Sequence, residues 1–324
     1  MPADPAVFSF DILGRRFVAR HATRDLERWL RAFWEHSECD VPPHPYSIAL
    51  EVIRAAPDAL PPDWKACAVP VQGQTLGFRT AGAAWEMREA GGGIRFHLLA
   101  GETRIRLWGI EAAANPEPLY LALYVALTEA LRASGLLPLH AAVAARGETG
   151  VAWLGAGGAG KSTTLLHAAR TGWRPVAEDF CWLEPRNLRL YGWDRGVRVR
   201  PDMIERFFPD LGDAPADPDG KHLVPYERLG AGEPRWCVLS RLALLTRELG
   251  GSASRWERTT AAEAVKALWE SSGLPLHEPS RQLAATAIAR LTREVPVARM
   301  VIGDGVPPLE GGARAWAAGY AGGG

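Results

Sequence analysis

The chain has 324 residues, of which 47% are hydrophobic, and its 37 Lys and Arg balance 37 Asp and Glu. That length predicts about two domains, each with material for a sizeable core, and the charge balance excludes the global basic field of a nucleic-acid binder. Its four cysteines, Cys39, Cys67, Cys181 and Cys237, form no C-x-x-C pair, so neither a zinc site nor a disulfide framework is indicated and a reducing cytoplasm fits. Met1-Pro2-Ala3-Asp4-Pro5 lacks the basic and apolar regions of a signal peptide. The most apolar stretch, Leu119 to Leu127, is far too short to span a bilayer. A cytoplasmic protein with no membrane and no nucleic-acid partner is expected.

Phe8, Phe10 and Ile12, then Phe17 and Ala19, alternate about Leu13-Gly14-Arg15 and predict a hairpin. Asp25 to His36 carries Leu26, Trp29, Leu30 and Phe33 at helical spacing. A Pro-rich connection at 42–45 leads into a strand over Tyr46 to Ile53. Trp85 to Arg88 and Ile94 to Leu99 read as a second hairpin across Gly91-Gly92-Gly93, with Thr103 to Trp108 as a further strand. Residues 1–112 are therefore expected to form a small antiparallel α+β domain. Pro116 to Ala133 predicts a helix with proline near its first turn.

The texture changes near residue 135, where strands and helices begin to alternate. Strands are expected at Leu139 to Ala145 and Val151 to Leu154, about the turn 147–150. A helix to about Thr171 stops at Gly172. A strand over Arg174 to Leu183 carries the acidic pair Glu178-Asp179. Leu188 to Tyr191 and Val197 to Val199 suggest a hairpin across Gly192 to Gly196. A strong strand spans Val238 to Thr246, helices follow at Ala261–Glu270 and Ser280–Arg293, and Val297 to Ile302 is the closing strand. Crossovers mixed with hairpins argue for a mixed α/β sheet flanked by helices over 113–310. The glycine-rich tail, 311–324, is expected to be disordered.

Gly155 to Ser162 fits G-x-x-x-x-G-K-[ST]. It follows the apolar segment Val151 to Leu154 and opens the helix beginning Thr163-Thr164-Leu165, the context a true phosphate cradle requires. Gly155, Gly157, Gly158, Ala159 and Gly160 would bring backbone N–H groups close to a phosphate, and the helix N-terminus adds partial positive charge. Lys161 would reach the β- and γ-phosphates, the Ser162 hydroxyl would bind Mg²⁺, and Thr163 completes the nucleotide-binding set. A nucleoside triphosphate is the expected ligand.

Two further features decide what such a loop does. His140 lies at the start of the strand before the loop, and Glu178-Asp179 follows the loop helix. One acidic residue at such a strand end commonly holds Mg²⁺, and a second can accept the proton of an attacking hydroxyl. Adjacent residues of a strand point to opposite faces, so the strand must end there or bend. A histidine at a strand start is ordinarily a satisfied structural residue; beside a carboxylate it could position that group or tune its pKa.

Leu139-His140, the strand and turn, the glycine loop, His167 to Pro175 and Val176-Ala177-Glu178-Asp179 agree in order and spacing over about forty residues with the catalytic core of the HPr kinase/phosphorylase family, which the chain resembles here. The resemblance implies transfer of the γ-phosphoryl group of ATP to a serine hydroxyl, with ATP and Mg²⁺ as cofactors. It implies that Lys161 and Ser162 contact phosphate and metal, that Asp179 is the second metal contact, and that Glu178, in place of the family's first aspartate, is the base assisted by His140. The layout, a small α+β domain before such a core, is more similar to the lasso-peptide kinases, which phosphorylate a serine of a ribosomally made precursor peptide. A peptide or protein acceptor and homo-oligomeric assembly are carried by the resemblance alone. A small-molecule hydroxyl kinase and a non-catalytic ATP-sensing module are the alternatives.

Val197 to Pro201 and Gly220 to Pro225 are similar to basic segments of these relatives, so that Arg198, Arg200 and Lys221 could meet phosphate or an acidic peptide; each alone reads as a solvated charge. The thirteen tryptophans, among them Trp29, Trp34, Trp85 and Trp108, fit either a core filled with large residues or a peptide-binding groove.

Overall fold

The computed structural model describes residues 7–35, 41–58, 64–71, 73–89, 91–217, 219–230, 235–248, 250, 253–305 and 307–309. Cys39 and the glycine-rich tail 311–324 lie outside these residues. Two units partition the chain: Met1–Gly135 with Pro275–Ala284, and Leu136–Leu274 with Ala285–Gly324.

In the first unit, the alternation of Phe8, Phe10 and Ile12 makes β1 (Val7–Ile12), and Leu13-Gly14 turns it into β2 (Arg15–Arg20). Leu13 and Gly14 both have positive φ, +48° and +76°. The helix α1 (Arg24–Trp34) starts where the Thr23 hydroxyl accepts from Leu26 N–H, and it buries Leu26, Leu30 and Trp34 at helical spacing. β3 (His44–Ile53), β4 (Lys65–Val71), β5 (Gln74–Ala81), β6 (Ala84–Glu89), β7 (Gly92–Leu99) and β8 (Glu102–Trp108) complete a sheet ordered β1-β2-β3-β8-β7-β6-β5-β4.

This sheet is mixed, which corrects the expected antiparallel domain: β3 runs parallel to both β2 and β8. The connection through α1 is long enough to return the chain in the same direction, as a tight hairpin is not. Trp34, Trp85 and Trp108 are buried, and Trp85 stacks on Phe96 with centroids 5.3 Å apart, so these tryptophans fill the core. Trp29 is half-buried against Tyr120. α2 (Glu117–Ala133) belongs to the same unit and buries Glu129. Glu129 accepts from Arg132 Nη1 at 2.6 Å and meets His277 Nδ1 at 2.9 Å.

The second unit holds β9 (Leu137–Leu139), β10 (Ala141–Arg146), β11 (Thr149–Leu154), α3 (Lys161–Arg170), β12 (Arg174–Ala177), β13 (Cys181–Glu184), β14 (Arg189–Gly192), β15 (Gly196–Val199), α4 (Pro201–Phe207), β16 (His222–Pro225), β17 (Trp236–Arg247), β18 (Arg255–Glu257) and α5 (Ala261–Ser272). The helix α6 (Glu278–Glu294) is divided between the units at Ala284, and β19 (Val297–Ile302) returns to the second. The main sheet runs β12-β10-β11-β17-β14-β13-β9, with β19 parallel to the C-terminal half of β17. It is a large mixed sheet. β11 and β17 are parallel, and β11 from Gly150 to Leu154 and β17 from Leu242 to Leu245 are buried on both faces, as their Val, Leu and Ala runs require.

Two expectations are corrected here. The strand expected over Arg174 to Leu183 is broken between Ala177 and Cys181. The hairpin expected across Gly192 to Gly196 does not form: β14 pairs with β13 and β17, whereas β15 pairs with β16. Gly192 explains the difference. A Cβ there would lie 1.7 Å from the Val176 carbonyl oxygen, so the bare glycine lets the chain pass against β12 instead of reversing on itself.

Candidate active site

The glycine loop follows β11 and opens α3, as its sequence context predicts. Gly155 is required by space, since a Cβ would come within 2.9 Å of the Leu245 carbonyl, and Gly158 and Gly160 by their φ of +80° and +102°. Gly157 and Gly158 are exposed, and Ala159 is buried beneath them. Lys161 is buried, and its Nζ donates to the Gly155 carbonyl at 2.8 Å. Burial pushes the Lys161 ammonium below its ordinary range, while Asp179 and Glu178 pull it back up.

The acidic pair sits where two antiparallel runs part company. Leu139 faces Cys181 and Val143 faces Ala177, so three residues on each side, His140 to Ala142 and Glu178 to Phe180, leave the ladder between them. Leaving it frees three consecutive backbone donors, which must find partners elsewhere. Asp194 supplies them: its Oδ2 accepts from the N–H groups of Glu178, Asp179 and Phe180 at 3.0, 2.8 and 2.9 Å. Burial pushes the Asp194 carboxyl up and these three amides pull it down. Asp194 stands between Gly192 and Gly196 in what reads as an ordinary polar turn, so the sequence carried no signal for it.

The break lets both carboxylates of the pair reach the loop. Ser162 Oγ donates to Glu178 Oε1. His140 Nε2 lies 3.3 Å from Asp179 Oδ1. Each carboxylate thus has the neighbour expected of the other: Glu178 meets the Ser162 hydroxyl and Asp179 meets the histidine. Glu178 is only 5% exposed, and burial pushes its pKa up to about 7, with the Ser162 hydrogen bond pulling down and the charges of Asp179 and Asp194 pushing further up. Burial holds His140 below the ordinary imidazole range, Asp179 pulls it up, and Lys161 lowers it again. Its backbone is fixed by N–H donation to the Ser271 carbonyl at 2.9 Å.

The three basic candidates separate. Arg198 bridges Asp217 and Asp219, both at 2.6 Å. Arg200 pairs with Asp202 at 3.0 Å. Lys221 is near enough to the cluster that its charge lowers both Glu178 and Lys161. Thr163, one position beyond Ser162, turns about 100° away around the helix and leaves the acidic cluster.

No group of three or more His, Cys, Asp and Glu side chains able to hold a metal occurs among the described residues. The Ser162 hydroxyl and the Glu178 carboxylate nevertheless suit Mg²⁺, which takes one or two protein oxygens beside substrate phosphates and water. Within one unit the chain therefore gathers a glycine-rich loop at a helix N-terminus, a buried ammonium, a hydroxyl–carboxylate pair and a histidine–carboxylate pair. Searched against protein-family models and against curated proteins, the chain matches neither.

Proposed function

We propose that this protein is an ATP-dependent phosphotransferase that moves the γ-phosphoryl group to a serine hydroxyl of a peptide or protein. The observation that carries the reading is the division between two adjacent carboxylates, Glu178 on Ser162 and Asp179 on His140. A nucleotide-binding module has no need of the second pair. The division also reverses the roles implied by the sequence resemblance: Glu178 serves the metal side and Asp179 is the base.

In this scheme the loop amides and Lys161 hold the β- and γ-phosphates. Ser162 and Glu178 would hold Mg²⁺, which when bound neutralises charge on the phosphate oxygens. Asp179 accepts the proton of the acceptor hydroxyl as that oxygen attacks phosphorus, a contribution of roughly 10²–10⁴-fold. His140, held neutral by burial, orients the Asp179 carboxylate rather than taking the proton itself. Asp194 keeps the break at Glu178 to Phe180 open, so that both carboxylates stay on the loop side. The serine acceptor rests on the resemblance of the Leu139 to Asp179 segment to the HPr kinase/phosphorylase family, and the peptide on the likeness in layout to the lasso-peptide kinases.

Incubation with γ-labelled ATP and Mg²⁺ against a serine-peptide library, with free serine and sugars alongside, tests the proposal. Label on peptide serine is expected. Label on small hydroxyl compounds alone would make the protein a small-molecule kinase, and tight ATP binding without any transfer would make it a sensing module.

A further inference from the structure

The geometry points to a nucleoside-binding pocket on the side of the glycine loop away from the acidic pair, formed by Thr163, Met203, Phe207, Ile302 and Pro307. The inference rests on the reading of Gly155 to Ser162 as a triphosphate site. β11, β17 and β19 are parallel neighbours, so their C-terminal ends share one edge of the sheet. β12, antiparallel to β10 as β11 is, ends on that edge as well. Along the edge the order is β12, β10, β11, β17, β19. The acidic pair follows β12, the glycine loop follows β11, and Arg247 and Ile302 end β17 and β19. A triphosphate whose γ-end lies at Glu178 and Asp179 must therefore carry its nucleoside the other way, toward β17 and β19.

A pocket is found there. Gly160 and Thr163 form its loop side, and Met203, Phe207, Ile302 and Pro307 give it apolar walls. The Ile302 side chain closes directly on the loop, since a Cβ on Gly160 would come within 3.0 Å of its Cδ1. Arg206 stacks over the Phe207 ring at 4.7 Å and donates to the Asp304 carbonyl at 3.1 Å, which stiffens one wall. The pocket is small, about 30 Å³, close to the room one water takes, so only an edge of a planar base would enter it and the rest of the nucleoside would lie outside. Thr163 makes the link to the loop. It faces the pocket, whereas Ser162, one position before it, faces Glu178, so α3 presents its first turn to both ends of the ligand. Ligands of open α/β sheets bind beyond such C-terminal strand ends.

The test compares two ligands that share a phosphate chain. Wild-type protein, Met203→Ala and Phe207→Ala are titrated with MgATP and with magnesium tripolyphosphate. Phe207→Ala should weaken MgATP about tenfold, the worth of one base stacked on an aromatic ring, Met203→Ala should weaken it by less, and both should leave tripolyphosphate within about twofold. Unchanged MgATP affinity, or an equal loss for both ligands, overturns the pocket while leaving the loop intact. Wild-type protein that binds neither ligand overturns the loop reading and the pocket with it. Because Phe207 also packs on His167, a measurement on the unaltered protein accompanies the variants: photolabelling with 8-azido-ATP should mark peptides spanning 203–207 or 302–307. Labelling confined to other peptides overturns the assignment.

Discussion

Glu178 is the residue on which the chemistry and the stability of the site pull in opposite directions. Burial raises its pKa from an ordinary 4.5 to about 7, so the folded protein holds this proton more tightly than the unfolded chain does. The stabilisation from that proton is fully present below about 4.5 and is lost as pH rises through about 7. A bound cation, by contrast, needs the carboxylate. Mg²⁺-dependent ATP affinity should therefore increase between pH 6 and 8, while the stability of the nucleotide-free protein declines from pH 4.5 to 7. Glu178→Gln should remove the share of both pH dependences that Glu178 carries and stabilise the nucleotide-free protein at pH 8 by about 1–3 kcal/mol; a lowered melting temperature in that variant would contradict this. Asp194 acts at one remove, through backbone. Asp194→Ala orphans three N–H donors, which should cost about 2–4 kcal/mol and depress turnover at least tenfold. Asp194→Asn, which keeps an accepting oxygen, should recover most of both. Full activity in the alanine variant would show that the break holds without it.

At the scale of elements, the strand–loop–helix around Gly155 was legible in the sequence because each part announces itself locally: an apolar run, glycines, and a helix opening. The closing strand Val297–Ile302 and the helix α5 were legible for the same reason, whereas the Thr260/Glu263 capping box that opens α5 emerges from the structure. What was not legible is non-local. Alternation in Tyr46 to Ile53 marks a strand but not its direction, so the parallel pairing of β3 with β2 and β8 could not be read from it. Nor does Phe180-Cys181-Trp182 show that its strand has just left one partner, β10, for another, β9. That exchange is what turns Glu178 and Asp179 toward the loop, and it depends on Gly192. Gly192→Ala would place a methyl group against the Val176 carbonyl, forcing β14 away from β12 and displacing Asp194. We expect a loss of more than about 2 kcal/mol in urea unfolding, together with weakened turnover; a variant of unaltered stability and activity would show that the close approach is dispensable.

Over the whole molecule, every side chain assigned to phosphate, metal or proton transfer lies in the unit built from Leu136–Leu274 and Ala285–Gly324. The other unit has its own aromatic core and the buried Glu129–Arg132–His277 cluster. No helix among the described residues is long and apolar enough to cross a membrane. The chemistry thus reduces to one claim: neighbouring carboxylates of opposite duty beside a triphosphate loop. Calorimetric titration with ATP, with and without Mg²⁺, tests it most directly when wild-type protein is run beside Glu178→Gln and Asp179→Asn. Wild-type affinity should depend strongly on Mg²⁺, Glu178→Gln should lose that dependence, and Asp179→Asn should keep it with affinity within about threefold while turnover falls by roughly 10²–10⁴-fold. Mg²⁺ dependence lost in Asp179→Asn and kept in Glu178→Gln, or no ATP binding by the wild-type protein, would contradict the account.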